Sequence, residues 1–231
     1  MKIALAQLNY HVGNFTSNTA AILREIEAAE KNGVDLLVFA ELAVCGYPPL
    51  DFLDYSHFID RCREHIDEIA KRCTSLTAIV GAPAVNPDPK GKNLFNSAYV
   101  LADGKIQTII HKTLLPTYDV FDEYRWFESN RVFECVEVKG VKIALTVCED
   151  LWNMDDDPLY TFWPMKELIR EQPKLMVNIA ASPFNVQHAE DRKAILLKNV
   201  KEFQLPLIYV NQVGAQTDLL FDGGSLIYQA D

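Results

Sequence analysis

Short apolar runs and amphipathic stripes alternate along most of this chain. Residues 2–8 form an apolar, strand-like run. Within 16–31, Ile22, Leu23, Ile26 and Ala29 recur at the spacing of one helix face, and Gly33 supplies a stop. A strand over 35–40 and a helix over 56–72, carried by Phe58, Ile59, Cys62, Ile66, Ile69 and Ala70, lead to a third strand over 77–85.

The middle of the chain changes rhythm. Residues 93–101 and 106–111 flank the turn Ala102-Asp103-Gly104-Lys105 and predict a hairpin, and 132–138 and 141–147 flank Lys139-Gly140 in the same way. Helical patterns return over 159–170 and 189–203, each followed by an apolar strand, over 174–181 and 206–211. Units of strand and helix mixed with hairpins call for mixed sheets rather than one parallel sheet. The predicted class is α/β, with two mixed sheets face to face and helices outside both.

No shift in composition marks a boundary, so residues 1–231 read as one domain; 86–92 is a polar loop. From Gly223 a strand begins and reaches a turn-like Ala230-Asp231, as Val100-Leu101-Ala102-Asp103 does before its returning strand. The expectation is a domain cut from a longer chain.

Composition narrows the partners. Hydrophobic content of 49% and charged content of 23% suit a soluble domain, and a formal net charge of −10 disfavours nucleic acid and anionic membranes. Five cysteines, Cys45, Cys62, Cys73, Cys135 and Cys148, include no CxxC pair, and the first eight residues turn polar too soon for a signal peptide. No apolar run approaches the length of a membrane span. A reducing, cytoplasmic setting is expected.

The chain has no GxSxG elbow, no GxxxxGK[ST] phosphate loop and no HExxH pair, and its histidines form no ligand-like group with the cysteines. Metal and nucleotide chemistry are therefore not expected in this domain. What remains is a set of reactive groups at strand ends. Glu41 follows Leu36-Leu37-Val38-Phe39-Ala40, Lys112 follows Ile109-Ile110-His111, and Cys148 follows Ile143-Ala144-Leu145-Thr146-Val147. Singly, these read as an acid at a helix start, a surface cation and a core cysteine. Jointly, on neighbouring strands, they would converge at one rim.

A thiol with an ordinary pKa of about 8.5 needs a base or a cation to become a nucleophile at neutral pH. Glu41 could take its proton, while Lys112 could stabilise the thiolate and then an oxyanion.

The blocks Val38-Phe39-Ala40-Glu41-Leu42-Ala43-Val44-Cys45-Gly46-Tyr47, His111-Lys112-Thr113-Leu114-Leu115-Pro116 and Thr146-Val147-Cys148-Glu149-Asp150 resemble, in order, those of the nitrilase or carbon–nitrogen hydrolase superfamily. That resemblance implies an αββα sandwich and a catalytic Glu41, Lys112 and Cys148. Gly46-Tyr47-Pro48-Pro49-Leu50-Asp51, Pro116-Thr117-Tyr118-Asp119-Val120-Phe121-Asp122-Glu123 and Cys148-Glu149-Asp150-Leu151-Trp152 are similar to the N-terminal glutaminase domains of glutamine-dependent NAD synthetases.

The resemblance further implies glutamine as substrate and a C-terminal synthetase domain beyond this sequence, which alone would use ATP and Mg. It also implies a homo-oligomer. Glu123 would support the lysine, Tyr118 would close the pocket, and Glu149 and Ser182 would bind the amino-acid head group. His188 stands where the family carries a cation for the substrate carboxylate, a departure that weakens charge complementarity. Glu123 as a loop carboxylate, Tyr118 as a packing residue, Ser182 as a turn residue and His188 as a helix start remain open readings. So do a stand-alone amidase and a non-catalytic binding or assembly domain.

Overall fold

The alternating segments assemble into two five-stranded sheets stacked face to face. The computed structural model describes residues 1–154 and 159–230. Asp231, half of the expected terminal turn, lies outside them. The first sheet contains β1 (Ile3–Leu5), β2 (Leu36–Val38), β3 (Thr77–Val85), β4 (Leu94–Ala102) and β5 (Lys105–His111) in that order. β1, β2 and β3 run parallel, then β4 and β5 return antiparallel.

The second sheet has β6 (Val136–Val138), β7 (Val141–Val147), β8 (Leu175–Ile179), β9 (Leu207–Val210) and β12 (Leu226–Tyr228), in the order β12-β9-β8-β7-β6. Its three inner strands are parallel and its two edges antiparallel. A separate hairpin joins β10 (Val213–Gln216) to β11 (Leu219–Asp222).

Side-chain alternation divides the core in two. Leu36, Val38, Ile79, Ala98 and Val100 point from the first sheet into a cluster with Ile143, Leu145, Val147 and Val177 of the second. On the outer face, Leu37, Ala78, Val80 and Tyr99 meet helices α1 (Phe15–Lys31) and α2 (Ser56–Ala70) through Ile22, Ile26, Cys62 and Ile66. Helices α3 (Pro164–Leu168) and α4 (His188–Phe203) cover the second sheet with Met165, Leu168, Leu196 and Val200. The four-layer αββα sandwich is thus the observed fold. Strands covered on both faces explain why β3 reads as an almost unbroken apolar run.

Two expectations need correction, and one hairpin was not foreseen. The helix predicted over 159–170 starts only at Pro164 and gives way to a 3-10 turn at Ile169–Glu171. Proline fits a first helical position and holds Trp163 extended (φ −126°, ψ 98°), so the helix cannot begin earlier. The arm over 132–138 pairs only from Val136. The β10–β11 hairpin gave no signal, because it turns at Thr217 in the left-handed region (φ +56°) without a glycine.

Candidate active site

Glu41, Lys112 and Cys148 do lie past the ends of strands, but not of neighbouring ones. β2 and β5, which lead to Glu41 and Lys112, are separated by β3 and β4, and Cys148 belongs to the opposite sheet. Two features of the first sheet close the gap. Gly81 on β3 lets the Glu41 segment lie directly against it: a Cβ there would come within 2.4 Å of the Leu42 nitrogen and 2.5 Å of the Ala40 oxygen. Asn96 on β4 then spans what is left, with its Nδ2 2.7 Å from Glu41 Oε1 and 3.3 Å from Glu123 Oε2.

Lys112 is fully buried rather than a surface cation, and its Nζ donates to Glu41 Oε1 at 2.7 Å and Glu123 Oε1 at 2.8 Å. Glu123 opens a 3-10 turn, is also buried, and accepts from the Tyr47 hydroxyl at 2.9 Å. Glu41 Oε2 accepts the Ala181 N–H at 2.9 Å. Burial alone would depress the Lys112 ammonium, but Glu123, Glu41 and Cys148 outweigh it and hold the pKa well above the ordinary lysine value. Burial pushes Glu123 up to about 7 against the pull of Lys112.

Cys148 sits at φ +43°, a left-handed turn that costs a non-glycine residue about 1–3 kcal/mol and recurs at functional sites. It opens a 3-10 turn over Cys148–Leu151, and Asn178 Nδ2 donates to its carbonyl at 3.3 Å. The residue is 5% exposed. Burial raises its thiol pKa well above the ordinary value, Glu41 adds to this, and Lys112 opposes it. The Cys148 thiol is therefore neutral at rest. Both charges it responds to most belong to the predicted trio.

Around this centre lie the secondary residues. Tyr118 and Tyr160 both donate to Glu149 Oε1, at 2.7 and 3.0 Å. Glu149 is buried, makes no salt bridge among the described residues, and has its pKa raised by that burial. Ser182 Oγ lies 2.9 Å from His188 Nε2, and the imidazole stacks on Trp152 with 4.8 Å between centroids. His188 does begin α4, and burial with Arg192 nearby lowers its pKa, so the ring is neutral at neutral pH. A cavity of about 390 Å³ opens onto Tyr118, Glu149, Trp152 and Tyr160. A larger one, about 800 Å³, lies by Thr77 and Val136, at the far end of the strands from Glu41 and Cys148.

The structure thus joins Glu41, Lys112 and Glu123 directly, Tyr118 with Glu149, and Ser182 with His188. Sequence reading missed Asn96, Tyr47, Tyr160, Asp150 and Asn178. Only Asp150, in the block beside Cys148, and Tyr47, at the end of the Glu41 block, carried a positional hint. Among the described residues no group of three or more His, Cys, Asp or Glu is placed to hold a metal ion, and no helix is long and apolar enough to cross a membrane.

Comparison with known proteins agrees with this arrangement. The glutamine-dependent NAD(+) synthetase of Synechocystis sp. is 42% identical over 96% of this chain and 41% of that protein. The Thermotoga maritima enzyme of the same name is 33% identical over all of this chain and 38% of its own length. The chain therefore spans about two fifths of the relatives it matches. The structure of glutamine-dependent NAD+ synthetase from Acinetobacter baumannii in complex with ADP superposes with a TM-score of 0.89 at 32% identity, covering 99% of this chain and 41% of that one. An amidase from Nesterenkonia sp. shares the fold, with a TM-score of 0.79 at 21% identity over all of this chain and 82% of that one. The family described as carbon-nitrogen hydrolase matches residues 2–231, and with its glutamate, lysine and cysteine at the strand ends of an αββα sandwich the chain belongs to that family.

Proposed function

We propose that this domain hydrolyses the side-chain amide of glutamine through a thioester on Cys148. The ammonia would serve a synthetase domain of the same protein that amidates deamido-NAD. The observation that carries the chemistry is the buried Lys112 held between Glu41 and Glu123, with Cys148 in the field of all three. The names of the relatives support glutamine and NAD synthesis.

In this reading Glu41 is the general base. Its Oε1 already accepts from Lys112 and Asn96, and its Oε2 from Ala181 only, which leaves Oε2 a lone pair for the thiol proton. Because the resting thiol is neutral, proton transfer accompanies attack: S–H breaks as the sulfur–carbon bond forms. Lys112 and the N–H of Glu149 hold the oxyanion. Glu41 returns the proton to the departing nitrogen, and the carbon–nitrogen bond breaks. Water, deprotonated by the same carboxylate, then attacks the thioester; the carbon–sulfur bond breaks, the proton returns from Glu41 to the Cys148 sulfur, and glutamate leaves.

The head group fits the flank. Glu149, a buried carboxylate held by two phenols, would take a substrate ammonium as its counter-ion. Ser182 and neutral His188 offer hydrogen bonds, not charge, to the substrate carboxylate. Base, cation and nucleophile all come from side chains, so ATP and Mg belong to the synthetase domain in this proposal. Self-association of the sandwich is part of the same reading, checked by mass in solution.

The test is ammonia release from glutamine by wild type and by Cys148→Ala. The variant is expected to keep its circular dichroism and melting behaviour and to release none. Retained activity would remove the cysteine from the mechanism.

A further inference from the structure

Glu41 and Lys112 hang from one sheet and Cys148 from the other, so the reactive groups meet only if the ends of the two sheets are held in register. The backbone after Lys112 and the backbone before Cys148 converge on one side chain. Asp150, 2% exposed, accepts the N–H groups of Thr113 and Leu114 on Oδ1, each at 2.9 Å, and the N–H of Val147 on Oδ2 at 3.0 Å.

Each bond has a specific consequence. Thr113 and Leu114 directly follow Lys112, so fixing their N–H groups fixes where the lysine leaves β5. Val147 directly precedes Cys148, whose own carbonyl is held by Asn178 Nδ2 at 3.3 Å. The left-handed Cys148 is therefore clamped from both sides, by Asp150 before it and Asn178 after it. A carboxylate meets all three N–H groups with acceptor oxygens, whereas an amide would turn an N–H₂ towards one of them.

We propose that Asp150 is a positioning residue that sets the separation between the Lys112 ammonium and the Cys148 sulfur; the proposal rests on the reading of those two as the catalytic pair. Misplacing reacting groups by about an ångström costs about 100-fold in rate, so the tie acts on turnover more than on substrate binding.

Asp150→Asn and Asp150→Ser test this. Three quantities are measured on purified protein: kcat and KM for ammonia release from glutamine, the rate of Cys148 alkylation by iodoacetamide followed by mass of the Cys148 peptide, and thermal unfolding. Asp150→Asn is expected to fold, to lose about 10–100-fold in kcat with KM changed less than about threefold, and to alkylate more slowly. Asp150→Ser keeps an oxygen for the Val147 N–H but is too short for Thr113 and Leu114. It is expected to show the same loss, which places the effect in the tie between sheets.

A folded Asp150→Asn protein with wild-type kcat and alkylation rate overturns the proposal, as does a rise in KM that matches the fall in kcat. Failure of both variants to fold makes Asp150 a determinant of folding and also overturns it. Failure of the catalytic reading looks different: wild type itself would release no ammonia, and its Cys148 would resist alkylation.

Discussion

Lys112 Nζ lies 2.7 Å from Glu41 Oε1 with both side chains completely withdrawn from water. A buried ion pair is not in itself strong support for stability, but removing one partner leaves a charge without compensation, at a cost of about 3–5 kcal/mol. Here one ammonium is shared by two acidic side chains, since Nζ also lies 2.8 Å from Glu123 Oε1, whose carboxyl burial raises to about 7. Lys112→Met is therefore expected to abolish ammonia release and to lower unfolding free energy by about 3–5 kcal/mol in urea titration. A stable, inactive Lys112→Met protein would show that the two acidic side chains can stay buried without the ammonium.

Asn96 makes the complementary case. Its Nδ2 donates to both carboxylates from the strand between them. Asn96→Asp keeps the shape and replaces the donor with a third carboxylate in the same buried volume. Activity is expected to fall at least about 100-fold, with several kcal/mol of stability lost, because like charges at this distance cannot all ionise. A near-neutral Asn96→Asp would show that the site tolerates a third acidic group beside Glu41 and Glu123.

These two residues also show what the sequence discloses. The trio was legible because each member ends an apolar run, and strand ends are where a sandwich presents side chains. Asn96 was not, because it lies inside β4, where a polar residue in Leu94–Ala102 looks like the ordinary alternation of a half-covered strand. The assumption of neighbouring strands failed for a related reason: periodicity reports that strands exist, not their order. Tyr160 was invisible because its bond to Glu149 depends on how the chain returns after Trp152, which no local pattern encodes.

The Glu149 site can be tested by substrate affinity. Replacing its carboxylate with an amide would remove the proposed charge-assisted bond to the substrate ammonium, worth about 1.5–3 kcal/mol, so Glu149→Gln should raise KM for glutamine about 10–100-fold. Tyr160→Phe removes one neutral donor of about 1 kcal/mol and should raise KM about fivefold. Equal effects on kcat and KM in Glu149→Gln would move this residue from binding to chemistry.

Stability should depend on pH through His111. Burial lowers its pKa from 6.5 to about 4, and the ring stacks on Phe95 with a 2.7 Å contact to Ser97. Between pH 6.5 and 4 the unfolded chain then binds the proton that the folded one refuses, so this residue's contribution is lost as pH falls through that window. Asp150 acts in the opposite sense. Burial raises it to about 6, so its folded form gains a proton first and its contribution is present at low pH and lost as pH rises through about 6. Only a comparison with His111→Gln isolates the histidine. The variant should lose less stability than wild type between pH 6.5 and 4 in parallel urea titrations, and identical slopes would place the titration elsewhere.

Gly81 carries the most remote prediction. It contributes no side chain to the site and lies in the middle of β3, in an apolar stretch where alanine would normally favour the strand. Its role comes from what passes over it: a methyl group would press to 2.4 Å on the Leu42 nitrogen and 2.7 Å on the Glu41 carbonyl carbon. These are backbone atoms, which cannot rotate away as a side chain could. Gly81→Ala should therefore shift the Glu41 segment from β3, weakening its bonds to Lys112, Asn96 and the Ala181 N–H together. The expected result is a loss of activity far larger than the overpacking cost of about 1–3 kcal/mol would suggest, with KM nearly unchanged, because the Glu149 flank lies on the other sheet. Ammonia release and urea unfolding, measured on the same preparation, separate the two effects. Full activity in Gly81→Ala would mean that the Glu41 segment can move off β3 without displacing its carboxylate.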